Sequence, residues 1–154
     1  ILIHASAVKN NEMGYLFLGK SGTGKSTHAQ LWIDFIPGSE LINDDNPIVR
    51  VIAGKPMVFG SPWSGKTPCY RNVSAPIGGF VRLKQAPANK IRCQSAVESY
   101  ASLMASGSGM SWEKQLADGK DKIMSELIKL VPFYLLECLP NEAAAQLSSS
   151  TIIN

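Results

Sequence analysis

The sequence lacks several features that would assign it to a membrane, secreted or zinc-binding class. None of its apolar runs approaches the length needed to cross a bilayer. Its three cysteines, Cys69, Cys93 and Cys138, are widely spaced and form no C-x-x-C pair, which argues against a disulfide framework. Only His4 and His28 supply imidazole, so no structural transition-metal site is expected. We therefore expect a cytoplasmic protein with reduced thiols and no membrane association.

The composition predicts one globular domain. The 154 residues are 45% hydrophobic and 18% charged, which is enough apolar material for one core. We expect residues 1–154 to form a single domain. Because the sequence begins with Ile1 rather than Met, the alternative that it is a fragment of a longer chain stays open.

A glycine-rich motif is the strongest functional signal. Residues 19–26 read Gly-Lys-Ser-Gly-Thr-Gly-Lys-Ser and match the phosphate-binding pattern G-x-x-x-x-G-K-[ST]. A predicted strand (15–18) precedes them and a predicted helix (27–36) follows, as this motif requires. Lys25 would reach the terminal phosphates and the Ser26 hydroxyl would bind Mg²⁺, which predicts ATP and Mg²⁺ as cofactors. The predicted nucleotide-binding residues of this loop are Gly19, Ser21, Gly22, Thr23, Gly24, Lys25, Ser26 and Thr27.

Residues 46–97 contain no acidic residue. Eight cations lie in this stretch: Arg50, Lys55, Lys66, Arg71, Arg82, Lys84, Lys90 and Arg92. A block of one charge sign is typical of a surface that meets anions. Nucleic acid is not expected, because aromatic residues of the stacking kind are not interleaved with the cations and nucleotide phosphates explain the block more simply. For Lys84, Lys90 and Arg92, a solvated basic face with no ligand remains the alternative.

Two carboxylates follow the next predicted strand. Asp44 and Asp45 come directly after the apolar pair at 41–42, at a strand end where α/β proteins place their ligand chemistry. One carboxylate can support Mg²⁺ while its neighbour accepts a proton from an attacking hydroxyl. The alternative is a helix cap or a solvated turn. We predict a metal site formed by Ser26, Asp44 and Asp45, with the assignment of the base left open.

The remaining pattern predicts short strands, hairpins and a long loop. A hairpin is expected over 48–59 with its turn at 53–55, strands over 1–8, 77–83 and 133–139, and helices over 95–105, 112–130 and 140–147. Residues 60–74 form a predicted lid that would bring Lys66 or Arg71 to the phosphates. The fold class is therefore α/β with a mixed, largely antiparallel sheet and a P-loop helix.

Three segments resemble the C-terminal catalytic domain of the HPr kinase/phosphorylases. These segments are residues 4–8 (His-Ala-Ser-Ala-Val), 19–27 and 41–45 (Leu-Ile-Asn-Asp-Asp), in the same order and approximate spacing. That family shares its fold with the phosphoenolpyruvate carboxykinases, whose phosphate loop is similar to residues 21–25. Residues 60–66 resemble a divergent set of HPr-kinase-like proteins. The resemblance spans most of the chain and implies a P-loop kinase-like catalytic domain.

The resemblance also implies roles for individual residues. His4 would lie near the transferred phosphate, Lys25 and Ser26 would hold phosphates and Mg²⁺, and Asp44 and Asp45 would provide base and metal support. We therefore expect an ATP- and Mg²⁺-dependent kinase whose acceptor is a hydroxyl, that of Ser or Thr in a protein or peptide. A carboxykinase-like enzyme acting on a small carboxylic acid and a non-catalytic nucleotide-binding regulatory module remain alternatives. A homo-oligomer also stays open.

Overall fold

The fold is described from a computed structural model, for residues 2–20, 22–44, 46–60, 73–108 and 114–153. The strands are β1 (Leu2–Ile3), β2 (Ser6–Asn10), β3 (Met13–Leu18), β4 (Ser39–Asn43), β5 (Ile48–Ile52), β6 (Lys55–Phe59), β7 (Ser74–Gln85), β8 (Lys90–Cys93), β9 (Gly107–Ser108) and β10 (Phe133–Cys138). The helices are α1 (Lys25–Phe35), α2 (Ala96–Ser106), α3 (Lys114–Leu130) and α4 (Glu142–Ile152). The predicted lid lies outside the described residues except at its two ends.

The long strand β7 organises the sheet. It pairs in parallel with β3 on one side and with β10 on the other, and its first residues pair antiparallel with β6. The strand path runs β4-β2-β3-β7-β6-β5-β1-β9, and β10 joins β8 to β7. The other described pairings are antiparallel. These pairings confirm a mixed α/β architecture in which antiparallel contacts predominate.

Two apolar cores lie on opposite faces of the central strands. Core 1 contains side chains of β2, β3, β5, β6, β7, β10, α2 and α3, and includes a stacked pair of Phe80 and Phe133 rings 4.6 Å apart. Core 2 lies under α1 and α4, where Trp32 is fully buried and contacts the rings of Tyr15 and Phe17. Because large buried aromatic rings contribute several kcal/mol of apolar burial, about 3 kcal/mol or more for a Trp, core 2 fixes α1 firmly on the sheet.

The hairpin predicted over 48–59 is confirmed. Ala53 and Gly54 have φ angles of 51° and 77°, as the two central residues of a type I′ turn require. The predicted strand over 1–8 is instead two strands interrupted at residues 4 and 5, and β2 continues to Asn10, further than predicted. Strand β8 was not predicted, because its short run contains one apolar residue that packs on a core, Ile91.

The helices are also close to expectation. Helix α1 begins at Lys25, two residues earlier than predicted, and α4 continues to Ile152, five residues beyond the predicted end. Asn141 is the N-cap residue of helix α4, and its side chain accepts a hydrogen bond from the Ala144 N–H. Among the helices that the structure describes, none combines the length and hydropathy that crossing a membrane requires.

Candidate functional site

Strand directions bring the predicted site residues to one edge of the sheet. Strand β2 runs antiparallel to both β3 and β4, so β3 and β4 end at the edge where β2 begins. Strands β7 and β10 run parallel to β3 and end there as well. This edge therefore carries the loop after β3, Asp44 directly after β4 and the residues that precede β2.

The loop of residues 19–26, called here the glycine loop, has an open inner surface. Gly22 and Gly24 have φ angles of 86° and 96°, and a Cβ placed on either would meet no atom within 4 Å. L-residues rarely adopt this backbone region, so glycine is needed at both positions. The loop is closed by Thr23, whose N–H and hydroxyl both donate to the Lys20 carbonyl, at 3.1 and 2.7 Å. Ser21 lies outside the described residues.

Helix α1 starts at the end of this loop with its first turn uncapped by a side chain. Gly24 is the N-cap residue and, having no side chain, makes no side-chain capping hydrogen bond. Uncapped N–H groups and the helix dipole together favour an anion at this point. Ser26 and Thr27 are accessible here and line an open cavity of about 320 Å³ with Gln30, Leu31 and Asp34.

Lys25 brings a positive charge into the glycine loop. Its side chain is 8% exposed, and its ammonium Nζ donates to the carbonyl oxygens of Gly19 at 2.8 Å and Lys20 at 3.1 Å. A cation held by loop carbonyls adds to the positive potential of the uncapped helix end. This placement of a positive charge is compatible with the predicted binding of an anion.

Asp44 lies in a buried position directly after β4. Its Oδ1 accepts a hydrogen bond of 3.0 Å from the Ser6 hydroxyl, and the same hydroxyl lies 3.3 Å from the Asp44 carbonyl oxygen. Its Oδ2 is buried without a hydrogen-bond partner in the described parts of the chain. A buried carboxylate oxygen of this kind is costly unless a cation or a donor accompanies it. The helix-cap alternative does not fit, because Asp44 precedes a strand.

The residues around Asp44 form a tight turn. The Asn43 side chain is fully buried, and its Oδ1 accepts a hydrogen bond of 2.9 Å from the Asn46 N–H. This bond spans the two aspartates and holds the chain in a turn at the sheet edge. Asp45 itself lies outside the described residues.

The donor set at this edge suits Mg²⁺ better than zinc. In the ranges that the structure describes, no group of three or more His, Cys, Asp or Glu side chains converges on one point. Mg²⁺ needs only one or two protein oxygens, because waters and substrate phosphates complete its coordination. The Asp44 Oδ2, which has no hydrogen-bond partner among the described residues, and the exposed Ser26 hydroxyl could serve as oxygen ligands of that type.

His4 lies at the same edge. It lies between β1 and β2, two residues before Ser6, and its backbone N–H donates to the Ser106 carbonyl at 2.7 Å. This bond connects the start of β2 to the end of α2. Lys66 and Arg71, predicted to approach the phosphates from the lid, lie outside the described residues.

Two residues that support the site were not singled out from the sequence. Ser6 holds the Asp44 carboxylate, and Gln85, at the end of β7, donates from Nε2 to the Gly22 carbonyl at 3.2 Å. Both contacts join segments distant in the chain, by 38 and 63 residues. No local sequence signal reports such pairing, although Ser6 lies within the His-Ala-Ser-Ala-Val segment.

A buried polar contact fixes the helix that carries the loop. His28 is 2% exposed, its Nε2 lies 2.9 Å from the Ser148 Oγ of α4, and its ring meets Phe17 edge-on. The indole N–H of Trp32 donates to the same Ser148 Oγ at 2.9 Å. Burial lowers the pKa of His28 to about 4, so the ring is neutral at pH 7. Helix α1 is thereby held against both β3 and α4.

Comparison with known proteins gives a fold relationship. No protein-family model and no curated protein matches the sequence. Among solved structures, the chain is similar to that of the HPr(Ser) kinase/phosphatase from Coxiella burnetii, with a TM-score of 0.59 and 14% sequence identity. The match covers 100% of this chain and 89% of the other. The chain therefore has a mixed α/β fold like that of this kinase/phosphatase.

Proposed function

We propose that this protein is an ATP- and Mg²⁺-dependent phosphotransferase that transfers the γ-phosphate to the hydroxyl of Ser or Thr in a protein or peptide. The observation that carries the proposal is the buried Asp44 Oδ2, which has no hydrogen-bond partner among the described residues and lies at the same sheet edge as the glycine loop. A carboxylate that only capped a turn would have its oxygens paired or solvated. A fold like that of an HPr(Ser) kinase/phosphatase supports the same proposal.

The glycine loop and helix α1 bind the nucleotide in this proposal. The glycine loop, with open space beside Gly22 and Gly24, accepts the phosphates, and the Lys25 ammonium exchanges its loop carbonyls for phosphate oxygens. Mg²⁺ held here would supply positive charge that offsets the charge of the phosphates. The Ser26 hydroxyl and the Asp44–Asp45 pair would hold it.

The acidic pair also serves the transfer step. The acceptor oxygen forms a bond to the γ-phosphorus, and the bond from that phosphorus to the oxygen bridging it to the β-phosphorus breaks. The acceptor proton passes to one carboxylate of the pair while the other stays with the metal. Lys25, with His4 and the lid residues Lys66 and Arg71, would stabilise the charge on the transferred group.

Binding and transfer are tested separately. A fluorescent ATP analogue is titrated with Mg²⁺ or with EDTA, using wild type, Lys25→Ala and the control Lys55→Ala, whose exposed side chain lies in the β5–β6 turn. We expect Mg²⁺-dependent binding that only Lys25→Ala abolishes. Equal binding by all three proteins would overturn the assignment of the glycine loop.

Transfer is then measured with labelled ATP and a Ser/Thr peptide pool. Asp44→Asn is compared with Glu12→Gln, an exposed carboxylate in the β2–β3 turn at the opposite end of the sheet. We expect phosphopeptide formation that Asp44→Asn lowers by orders of magnitude and Glu12→Gln leaves unchanged. A parallel reaction contains oxaloacetate: release of CO₂ with formation of phosphoenolpyruvate would instead support the carboxykinase-like alternative. Binding without either reaction would support a regulatory module.

A further inference from the structure

Four cations lie at alternate positions on two strands that flank β10. They are Arg82 and Lys84 on β7, and Lys90 and Arg92 on β8. The register aligns Arg82, Leu135 and Arg92 in one row across the three strands. It aligns Lys84, Glu137 and Lys90 in the next row. These four cations are called here the cationic shelf.

All four side chains lie on the same face of the sheet. Their neighbours Leu83, Ile91 and Leu136 pack in core 2, and side chains of adjacent residues in a strand point to opposite faces. The shelf therefore lies on the α2 side. Two contacts agree with this placement: Arg82 donates to Ser102 of α2 at 3.4 Å, and Arg92 pairs with Glu98 of α2.

The shelf carries an excess of positive charge. Glu98 accepts two hydrogen bonds from Arg92, at 2.9 and 2.6 Å, and this pairing lowers the pKa of Glu98 to about 2. Glu137 lies between the two lysines. Four cations and two carboxylates leave an excess of two positive charges on this face. Lys84, Lys90 and Arg92 are exposed to solvent.

The shelf adjoins the glycine loop. Arg82 is in register with Leu18, the residue that precedes Gly19, and Gln85 at the end of the same strand donates to the Gly22 carbonyl. A molecule whose reacting group approaches the end of a bound phosphate chain would therefore extend over this face. This placement makes the shelf a candidate for recognition of the acceptor.

We propose that the cationic shelf binds an acidic segment of the phospho-acceptor peptide, next to the hydroxyl that receives the phosphate. The spacing fits: residues i and i+2 of a strand lie on one face about 7 Å apart, in the shelf strands and in an extended peptide alike. Two carboxylates at alternate peptide positions can then meet two rows of cations. A nucleic-acid strand fits less well, because residues 82–92 contain no aromatic side chain on which a base could stack. This inference rests on the proposed function, whose acceptor class it specifies.

The test uses two fluorescein-labelled peptides of seven residues with a central serine. One carries Glu at alternate positions and the other carries Gln at the same positions. Binding is measured by fluorescence anisotropy, with and without a non-hydrolysable ATP analogue and Mg²⁺. We expect the Glu peptide to bind about tenfold more tightly than the Gln peptide at low salt, with the preference decreasing as salt rises.

Charge-reversal variants locate the effect. Lys84→Glu with Lys90→Glu should abolish the preference for the Glu peptide, and the milder pair Lys84→Ala with Lys90→Ala should reduce it. The matched control, Lys55→Glu with Lys129→Glu, changes two exposed lysines away from the shelf and should keep it. Nucleotide affinity should change far less in the three double variants than in Lys25→Ala, since neither shelf lysine belongs to the glycine loop and salt screens their charge from the phosphates.

Three outcomes would overturn the proposal. These are equal binding of the two peptides, loss of the preference in the control pair, and tighter binding of a single-stranded 12-mer oligonucleotide that the shelf variants abolish. The nucleotide titration reports independently on the proposed function. A protein that prefers the Glu peptide through the shelf but binds no nucleotide would refute the kinase proposal and leave the shelf as a peptide-binding surface.

Discussion

Asp44 and Ser6 should respond to mutation in opposite ways if the buried carboxylate is a metal ligand. Asp44→Asn preserves an oxygen that accepts from the Ser6 hydroxyl, and it replaces the unpartnered Oδ2 with an amide nitrogen. Ser6→Ala instead leaves Asp44 charged and removes the hydrogen bond to its Oδ1. Asp44→Asn therefore changes the charge of the site, and Ser6→Ala changes the hydrogen bond that positions the Asp44 carboxylate.

The magnitudes follow from the burial of this pair. In Asp44→Asn the charge no longer has to be desolvated, while the new NH₂ brings unpaired donors, so without ligand the free energy of unfolding should change by less than about 1 kcal/mol. Ser6→Ala should lower it by about 1.5–3 kcal/mol, because it removes a hydrogen bond to a buried charged group. For a domain of this size each kcal/mol shifts Tm by about 2–4 °C.

Thermal unfolding with EDTA, with Mg²⁺ and with Mg²⁺ plus the ATP analogue distinguishes the two variants. At a ligand concentration of 100 Kd, wild type should gain about 2.7 kcal/mol. Ser6→Ala should lose stability yet keep much of this gain, and Asp44→Asn should keep stability and lose the gain. Asp44→Asn with a lower Tm in EDTA and an unchanged response to Mg²⁺ and nucleotide would refute the metal-ligand assignment.

Three further predictions concern the glycine loop and the helix behind it. Gly24→Ala should weaken nucleotide binding and destabilise the fold by about 1 kcal/mol, since φ is 96° there; an unchanged affinity in titration would contradict the loop geometry. Lys25→Arg should bind nucleotide more weakly than wild type, because the bulkier guanidinium must fit a site in which the Lys25 side chain is only 8% exposed; wild-type affinity would contradict this. The pKa of His28 is lowered to about 4 in the folded state, so between pH 6.5 and 4 the unfolded chain binds more protons than the folded chain. As pH is lowered through this window, the free energy of unfolding should fall by up to about 3 kcal/mol. Urea unfolding of wild type and His28→Gln checks this, and equal pH dependence in both would contradict it.

Local pattern was sufficient to predict the glycine loop and the hairpin over 48–59. Both depend on residues adjacent in sequence: glycines at positions of positive φ, and an apolar strand on each side. The position of Asp44 at a strand end was predictable for the same reason. Its partner Ser6 was not, because the contact depends on the pairing of β2 with β4 across 38 residues.

The position of β7 could not be predicted. The strand over 77–83 was expected, but the sequence does not encode locally that it pairs in parallel with both β3 and β10. That register aligns Arg82 with Leu18 and allows Gln85 to reach Gly22. The roles of all the predicted site residues stay predictions, as do the single-domain organisation and the oligomeric state.

The strand register determines which cations of residues 46–97, the stretch without acidic residues, lie next to each other. Like charges directly opposite on adjacent strands destabilise a sheet. In this fold β10 separates the cations of β7 from those of β8, and it places Glu137 between Lys84 and Lys90. The repulsion is thus reduced without cancelling the positive excess. Stability alone does not require cations at all four positions, because exposed polar residues of any kind would satisfy the sheet. The proposed recognition of an acidic acceptor would account for their position next to the glycine loop, and reversing Lys84 and Lys90 should therefore change peptide selectivity far more than nucleotide binding.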